Sequence, residues 1–418
     1  MSSNKVEPKK KVPDDNEDNL LKSRTNISDL IHTVQFALIF EYCFGIYRFH
    51  IVNNGLQPTN RRMKLVGILI ISAHVIFFYY FLKLPSAITG TASLVDTMDE
   101  VPSIVILLQY VTSAIMTSFL LSVGNINIFT TFANLDSMLH INTNQDFYKA
   151  SRSRTFRYII VLAVYHIIVS ISDLLTSDEI SLSKIIVLPI FFEENLEILI
   201  FCLIISMLKS RLNVINKYLT NFMNDKENSK NSVFIVGERK PAPKENFNLI
   251  GRMSYKNMKI RDLAVTYDII GETCCLINQV FNFQIFMTLV STFTYIIITI
   301  WTSLTYYRTP SANFSSLITI ILWCITAIFK VAFMSLACER LLLTRNESKI
   351  LVNKVIMDYD LPKPMRMQAK AFMDLIEAWP LRIFIYDMFS VDITLMLKYI
   401  SVATTYLIVI IQVNHIVE

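Results

Sequence analysis

Seven long, continuous apolar runs constrain this chain more than any other feature. They fall at 65–84, 102–123, 158–177, 185–207, 281–304, 314–337 and 390–413. Each is close to the ~20 residues that an α-helix needs to cross ~30 Å of hydrocarbon. A bilayer offers backbone groups no water, so only helices and closed barrels can span it. Barrel strands alternate apolar and polar residues, and stretches such as 65–81 do not. The predicted fold is therefore an all-α membrane protein with seven transmembrane helices. With 53% hydrophobic and 17% charged residues, the chain has too little polar surface for a soluble protein of this length.

Basic residues set the expected orientation. Of 39 Lys and Arg, 10 precede the first run and 4, 12 and 8 occupy alternate loops, which places 34 on one side. Lys83, Lys184 and Arg308 lie on the other side, and Lys330 and Lys398 fall inside spans. Basic loops stay in the cytoplasm, so the N-terminus is expected inside and the C-terminus outside. This reverses the arrangement of a G-protein-coupled receptor, and no G-protein partner is expected. The net charge of +5 is mostly this sidedness and gives no reason to expect nucleic acid. Blocks such as Lys9-Lys10-Lys11 and Arg61-Arg62-Met63-Lys64 suit anionic membrane lipid at the inner leaflet. None of Cys43, Cys202, Cys274, Cys275, Cys324 and Cys338 falls in an outer loop, so no extracellular disulfide is expected. The polar first thirty residues hold no cleavable signal peptide. Glycine, 8 in 418 residues, is far below the ~7% average, which weighs against a transporter of broken, Gly-rich helices.

The organisation follows from these runs. Residues 1–30 read as a solvated cytoplasmic tail, and 31–64 as a membrane-surface or re-entrant helix and linker. The stretch Ile31–Phe49 is apolar but interrupted by Glu41 and Arg48. A full crossing there would put the basic tail outside, so it is expected to lie at, or dip into, the inner surface. Spans one to four occupy 65–207. A cytoplasmic helical anchor follows over 208–280, with a flexible insert at 224–248 around Pro241 and Pro243. Spans five and six occupy 281–337, a second anchor segment 338–389 and the seventh span 390–413, which leaves 414–418 as an outer tail. Two heptad-like seams mark the anchor: Leu208, Leu212, Ile215, Leu219 and Phe222, then Leu263, Tyr267, Ile270, Cys274, Ile277 and Phe281. Such a seam buries itself against another helix, within the chain or between subunits. The outer loops, 84–101, 178–184 and 305–313, are too short for an ectodomain, so an external ligand must bind among the helices. The sequon Asn313-Phe314-Ser315 abuts the sixth span, too close to the bilayer for use.

No Gly-rich phosphate loop, His-Glu-x-x-His or Cys-x-x-Cys is present, and the six histidines are scattered without ligand spacing. No catalysis, metal or cofactor is expected. The fourth span carries Glu193, Glu194, Asn195 and Glu197, roughly 15 Å below its outer end at ~1.5 Å per residue. Acidic groups in a span usually face protein or water and mark function. They line a ligand cavity or orient neighbouring helices through hydrogen bonds. At similar depth lie Gln109 and Tyr110 in the second span, His166 and Asp173 in the third, Tyr295 and Trp301 in the fifth and Trp323 in the sixth. Each alone is an ordinary packing residue; together they have the aromatic and polar character of a small-molecule site. In the last span Lys398, Ser401, Thr405 and Gln412 form one stripe, with Ile408 between. That face is turned to water, or it forms a hydrogen-bonded seam with a partner helix.

The C-terminal segment resembles the signature of insect gustatory receptors: Phe389-Ser390-Val391-Asp392, then Thr405-Tyr406, five apolar residues and Gln412-Val413. In that family the closing pair is Gln-Phe, so Val413 is a departure. Leu276-Ile277-Asn278-Gln279-Val280-Phe281 is similar to the family's approach to the fifth helix, with Asn282 where Gly is usual, and Arg211-Leu212-Asn213 to the segment leaving the fourth. The resemblance implies a tetramer of identical or related receptor subunits that forms a ligand-gated cation channel in the plasma membrane of sensory neurons. It also implies that the seventh helices line the pore near Gln412 and Val413, and that a small-molecule tastant binds among the second to sixth helices. Many sugar receptors of the main sweet clade carry Glu where this chain has Leu407. The favoured ligand is therefore bitter or plant-derived, with a fructose-type sugar receptor as the alternative. An ion-coupled transporter using Glu193, Glu194 and Glu197 is the remaining reading.

Overall fold

A computed structural model describes residues 15–52, 55–89, 94–176, 182–233, 259–308 and 314–417. Its helices are α1 (Asp15–Cys43), α2 (Arg61–Thr89), α3 (Leu94–Ile115), α4 (Ser122–Met138), α5 (Gln145–Thr176), α6 (Leu182–Val233), α7 (Ile260–Arg308), α8 (Phe314–Met357), α9 (Lys363–Ala378) and α10 (Ile393–Val417). A π-helical turn at Met116–Leu120 joins α3 to α4. Two short antiparallel hairpins complete the fold, β1 (His50–Val52) with β2 (Gly55–Gln57) and β3 (Phe384–Ile385) with β4 (Phe389–Ser390). Among the described residues, six helices are long and apolar enough to cross a membrane. The 25-residue α10 adds a further apolar helix. The all-α fold expected from the sequence is the fold observed.

The apolar sequences separate into central and peripheral helices. In α6, 72% of the most apolar window is buried inside the protein, against 11% in α5. Hydropathy cannot make that distinction, because a lipid-facing residue and a core residue are equally apolar.

At 52, 49 and 44 residues, α6, α7 and α8 far exceed the ~20 needed for a bilayer. Beyond the spans α6 stays packed on α8, while α9 packs on α7 and α8 and β3 on α7. This end carries the two segments expected to form the anchor. Both heptad seams are buried within one chain: Leu212, Ile215, Tyr267, Ile270 and Ile277 are fully inaccessible. Asn216 of α6 donates to the Thr344 carbonyl of α8 at 3.1 Å and accepts from Ser348 at 2.5 Å. Tyr267 of α7 meets the Phe372 ring of α9 at 5.6 Å. Of the two occupants open to these seams, intrachain packing is the one realised. At Gly271 the α7 backbone runs directly under Trp379, where an added Cβ would lie 2.4 Å from the indole. Trp379 donates through Nε1 to Asp268 at 2.6 Å, and its carbonyl accepts from Tyr267 at 3.1 Å.

Three segments outside the expected spans are partly helical. The segment read as a tail is helical from Asp15, because α1 continues toward the N-terminus beyond its apolar stretch; residues 1–14 lie outside the described residues. Helix α6 runs through the start of the expected insert to Val233, since the insert's prolines come only at 241 and 243; residues 234–258 lie outside the described residues. The expected outer tail is helical to Val417, with no Pro or Gly to stop α10. The sequon's Asn313 lies outside the described residues.

Helix α1 packs along α4 and α5 through Leu30, Ile31, Val34, Ala37 and Leu38, each at most 4% exposed. Gly45, at φ +77°, turns the chain in a left-handed conformation that an L side chain rarely adopts. That turn brings Arg48 back onto Glu41, with Nε at 2.9 Å and Nη2 at 2.7 Å, while Nη1 donates to Asn125 at 3.2 Å. The two charges that interrupt the apolar run thus satisfy one another inside the protein.

Candidate functional site

The fourth-span carboxylates diverge because neighbours one residue apart on a helix point about 100° apart. Glu194 turns toward α7 and α8. Its Oε1 accepts from Lys330 Nζ at 2.7 Å and from Ser291 Oγ at 3.1 Å. Ser291 also lies against Gln109 Oε1, and Gln109 Nε2 donates to Thr288 at 3.0 Å. One polar chain thereby links α8, α6, α7 and α3. Glu197 faces a second polar cluster, where it accepts from Ser113 and from Gln284 Nε2, the latter at 3.2 Å. Gln284 also donates to Thr117 at 2.6 Å. Glu193 is fully buried, and neither of its oxygens has a hydrogen-bond partner among the described residues. Burying charge at this depth is tolerable only with paired or hydrogen-bonded partners, and Glu194 and Glu197 have them.

The Glu194–Lys330 pair forms one wall of a narrow gap of about 10 Å³, room for about one water, between α3, α6, α7 and α8. Phe191, Tyr295 and Trp323 supply its aromatic walls, with ring centroids 5.1 Å apart for Phe191–Trp323 and 6.5 Å for Tyr295–Trp323. Ile106 and Ala327 close the apolar part, and Asn195, Ser291 and Thr326 complete the polar edge. Ligand sites run from about 300 to 1,000 Å³, so a ligand here would have to part these side chains. The lining combines aromatic rings, one ion pair and a few hydroxyls, the chemical character of a small-molecule site. Among the described residues no group of three His, Cys, Asp or Glu is placed to hold a metal ion.

Of the residues singled out in the sequence, Glu194, Tyr295 and Trp323 line this cavity, and Gln109 reaches it through Ser291. His166 stands behind Trp323 at 6.2 Å, with Nε2 3.1 Å from the Leu188 carbonyl. Tyr110 faces away: its hydroxyl donates to the Phe44 carbonyl at 2.7 Å and lies 3.1 Å from His74 Nδ1. Glu193, Glu197, Asp173 and Trp301 are outside the lining. Ser291, Thr326, Ala327, Ile106, Phe191 and Lys330 were not among the expected contacts. Lys330 carried a usable signal, because a lysine within an apolar run needs a buried partner.

The seventh-span stripe lies on an open helix. Lys398, Ser401, Thr405, Ile408 and Gln412 are all exposed, but so are Val402, Tyr406 and Val409 on other faces. The Val413 side chain lies outside the described residues. Helix α10 packs on both α7 and α8; on α7, the Tyr399 hydroxyl donates to the Leu289 carbonyl at 3.2 Å, and Phe293 meets the Tyr399 and Tyr406 rings. Asp392 caps its first turn, accepting from Thr394 N at 2.9 Å and Leu395 N at 3.3 Å.

The profile of the family described as 7tm Chemosensory receptor matches residues 34–414. Among solved structures, the insect olfactory receptor OR5 from Machilis hrabei superposes with a TM-score of 0.60 at 13% identity, covering 92% of this chain and 100% of that one. The same receptor in complex with eugenol gives 0.61 at 11% identity, with the same coverage. No curated protein shows significant sequence similarity to the chain.

Proposed function

Because this chain belongs to the 7tm chemosensory receptor family, a family of membrane receptors and not of enzymes, we propose that it is a gustatory receptor working as a ligand-gated, non-selective cation channel. The observation that carries the ligand side of this reading is the aromatic cavity bounded by the Glu194–Lys330 pair. Its aromatic and polar lining suits a bitter or plant-derived aromatic compound once the side chains part, and the related fold of OR5 was captured with eugenol. A fructose-type ligand is the second reading, favoured by the hydroxyl-binding potential of Glu194, Ser291 and Gln109. The Thr405-Tyr406…Gln412 signature supports a taste receptor and a pore at α10. The basic residues support a cytoplasmic anchor end, which puts the cavity toward the outer side of a sensory-neuron plasma membrane.

A tetramer of identical or related subunits is supported by an unpaired stripe on α8. Leu336, Leu343, Ile350 and Met357 recur every seven residues and are 42–59% exposed. Such a heptad outside the chain's own core suits another subunit.

The test is to express the chain alone, apply aromatic plant compounds and fructose separately, and record currents. Ligand-evoked cation current is expected, with Glu194→Gln and Trp323→Ala shifting its concentration dependence and leaving unitary conductance unchanged. Substrate uptake without such current would overturn the channel reading. Normal sensitivity in the surface-expressed variants would remove the cavity from ligand binding. Terminal tags should label outside only at the C-terminus, and Leu343→Asp should split the assembly in detergent.

A further inference from the structure

Helices α5 and α8 touch at two levels and part between them. Toward the end remote from the anchor, Tyr165 of α5 hydrogen-bonds Thr326 of α8 at 2.8 Å. Toward the anchor, the Tyr158 and Phe333 rings meet edge-on at 6.1 Å. Seven residues separate the two contacts on each helix, about 10 Å at ~1.5 Å per residue. The opening between them is an apolar groove, with Leu162 on one jamb, Phe329 on the other, and Ile198 and Leu199 of α6 at the back. Phe329, 67% exposed, lies on a surface that an apolar span turns to lipid.

The groove and the interior cavity share a wall. Asn195, Thr326 and Lys330 line both. The groove offers about 380 Å³ and the gap behind it about 10 Å³; Lys330 is held between them by Glu194, and a turn of its flexible side chain would join and widen the two spaces. A groove this apolar admits no ion from lipid, since a charge loses several kcal/mol of hydration there. It does admit a neutral ring compound dissolved in the bilayer, and that compound would meet its first polar partners at Lys330 and Glu194.

We propose that the cavity is filled sideways from the hydrocarbon, through the Tyr165–Thr326/Tyr158–Phe333 window, by neutral lipid-soluble small molecules, with Lys330 as the movable sill. This rests on the cavity being the ligand site, and it narrows the ligand class to compounds that partition into membranes. A route differs from a binding site in its thermodynamics. Plugging the window slows arrival and departure alike and leaves occupancy at equilibrium unchanged.

The experiment needs no known tastant. Ala327→Cys places a thiol in the cavity only, and Phe329→Cys places one in the groove as a reactivity control. The full chain in liposomes is treated with membrane-soluble N-phenylmaleimide or with its sulfonated, impermeant analogue, and labelling at each site is read by peptide mass. N-phenylmaleimide is expected to label both positions and the sulfonated reagent neither. Adding Leu162→Trp should slow labelling at 327 at least ten-fold; a second plug, Tyr165→Trp, guards against misfolding of the first. The proposal is overturned by labelling at 327 with the sulfonated reagent, by rates indifferent to both plugs, or by labelling at 329 without labelling at 327. If the labelling pattern holds while Glu194→Gln and Trp323→Ala leave currents unaffected, the route stands and the ligand-site reading fails.

Discussion

Replacing Lys330 by Met keeps the length of the side chain and deletes the ammonium. Glu194, 3% exposed in its side chain, then keeps one neutral donor, Ser291 at 3.1 Å. Leaving one member of a buried pair uncompensated costs about 3–5 kcal/mol. Glu194→Gln is milder, because the amide oxygen still accepts from the ammonium; the loss is on the order of 2 kcal/mol, the value of a hydrogen bond to a charged group. The double variant buries neither charge and preserves the shape, so it should fall within about 1 kcal/mol of the parent. The ordering is the diagnostic result: the double variant is expected to be more stable than the Lys330→Met single by about 2–4 kcal/mol. Denaturant titration of the purified protein in mixed micelles, followed by tryptophan fluorescence, measures it. Losses that simply add, or singles that each cost under about 1 kcal/mol as a solvated pair would, refute a dry pair at the cavity wall.

Gly271→Ala should push the Trp379 indole from its seat and cost about 1–3 kcal/mol of overpacking, read as a lower unfolding midpoint and faster proteolysis after residue 379. An unchanged midpoint would mean that α9 and the hairpin are not locked to α7 there. Asp392→Ala should cost about 1 kcal/mol of capping and speed hydrogen exchange at Thr394 and Leu395. Asp392→Asn should retain most of the protection, and equal exchange in all three proteins would rule out the cap.

Sequence by itself determined the class of fold and much of its layout. A bilayer forbids unpaired backbone, so long apolar runs have to become helices, and their positions could be read directly. The two seams at 208–222 and 263–281 were equally legible, because a period near 3.5 marks one buried face. The same period on α8, at Leu336, Leu343, Ile350 and Met357, is masked in the sequence because it begins inside an apolar run.

Only the tertiary structure decided which faces meet. Glu193, Glu194 and Glu197 are alike in sequence, yet one has no hydrogen-bond partner among the described residues, one holds Lys330 and one accepts from Ser113. Their partners lie 84 to 136 positions away, on helices whose rotation is set by packing. Tyr110 of α3 turns its hydroxyl to Phe44 and His74, away from Glu194. Glu41 and Arg48 looked like a barrier to burial until the turn at Gly45 folded one onto the other. Apolarity places a helix in the membrane, because transfer from water depends on composition. The choice between lipid and protein for each face depends on shape and polar pairing across helices, which no local stretch of sequence contains.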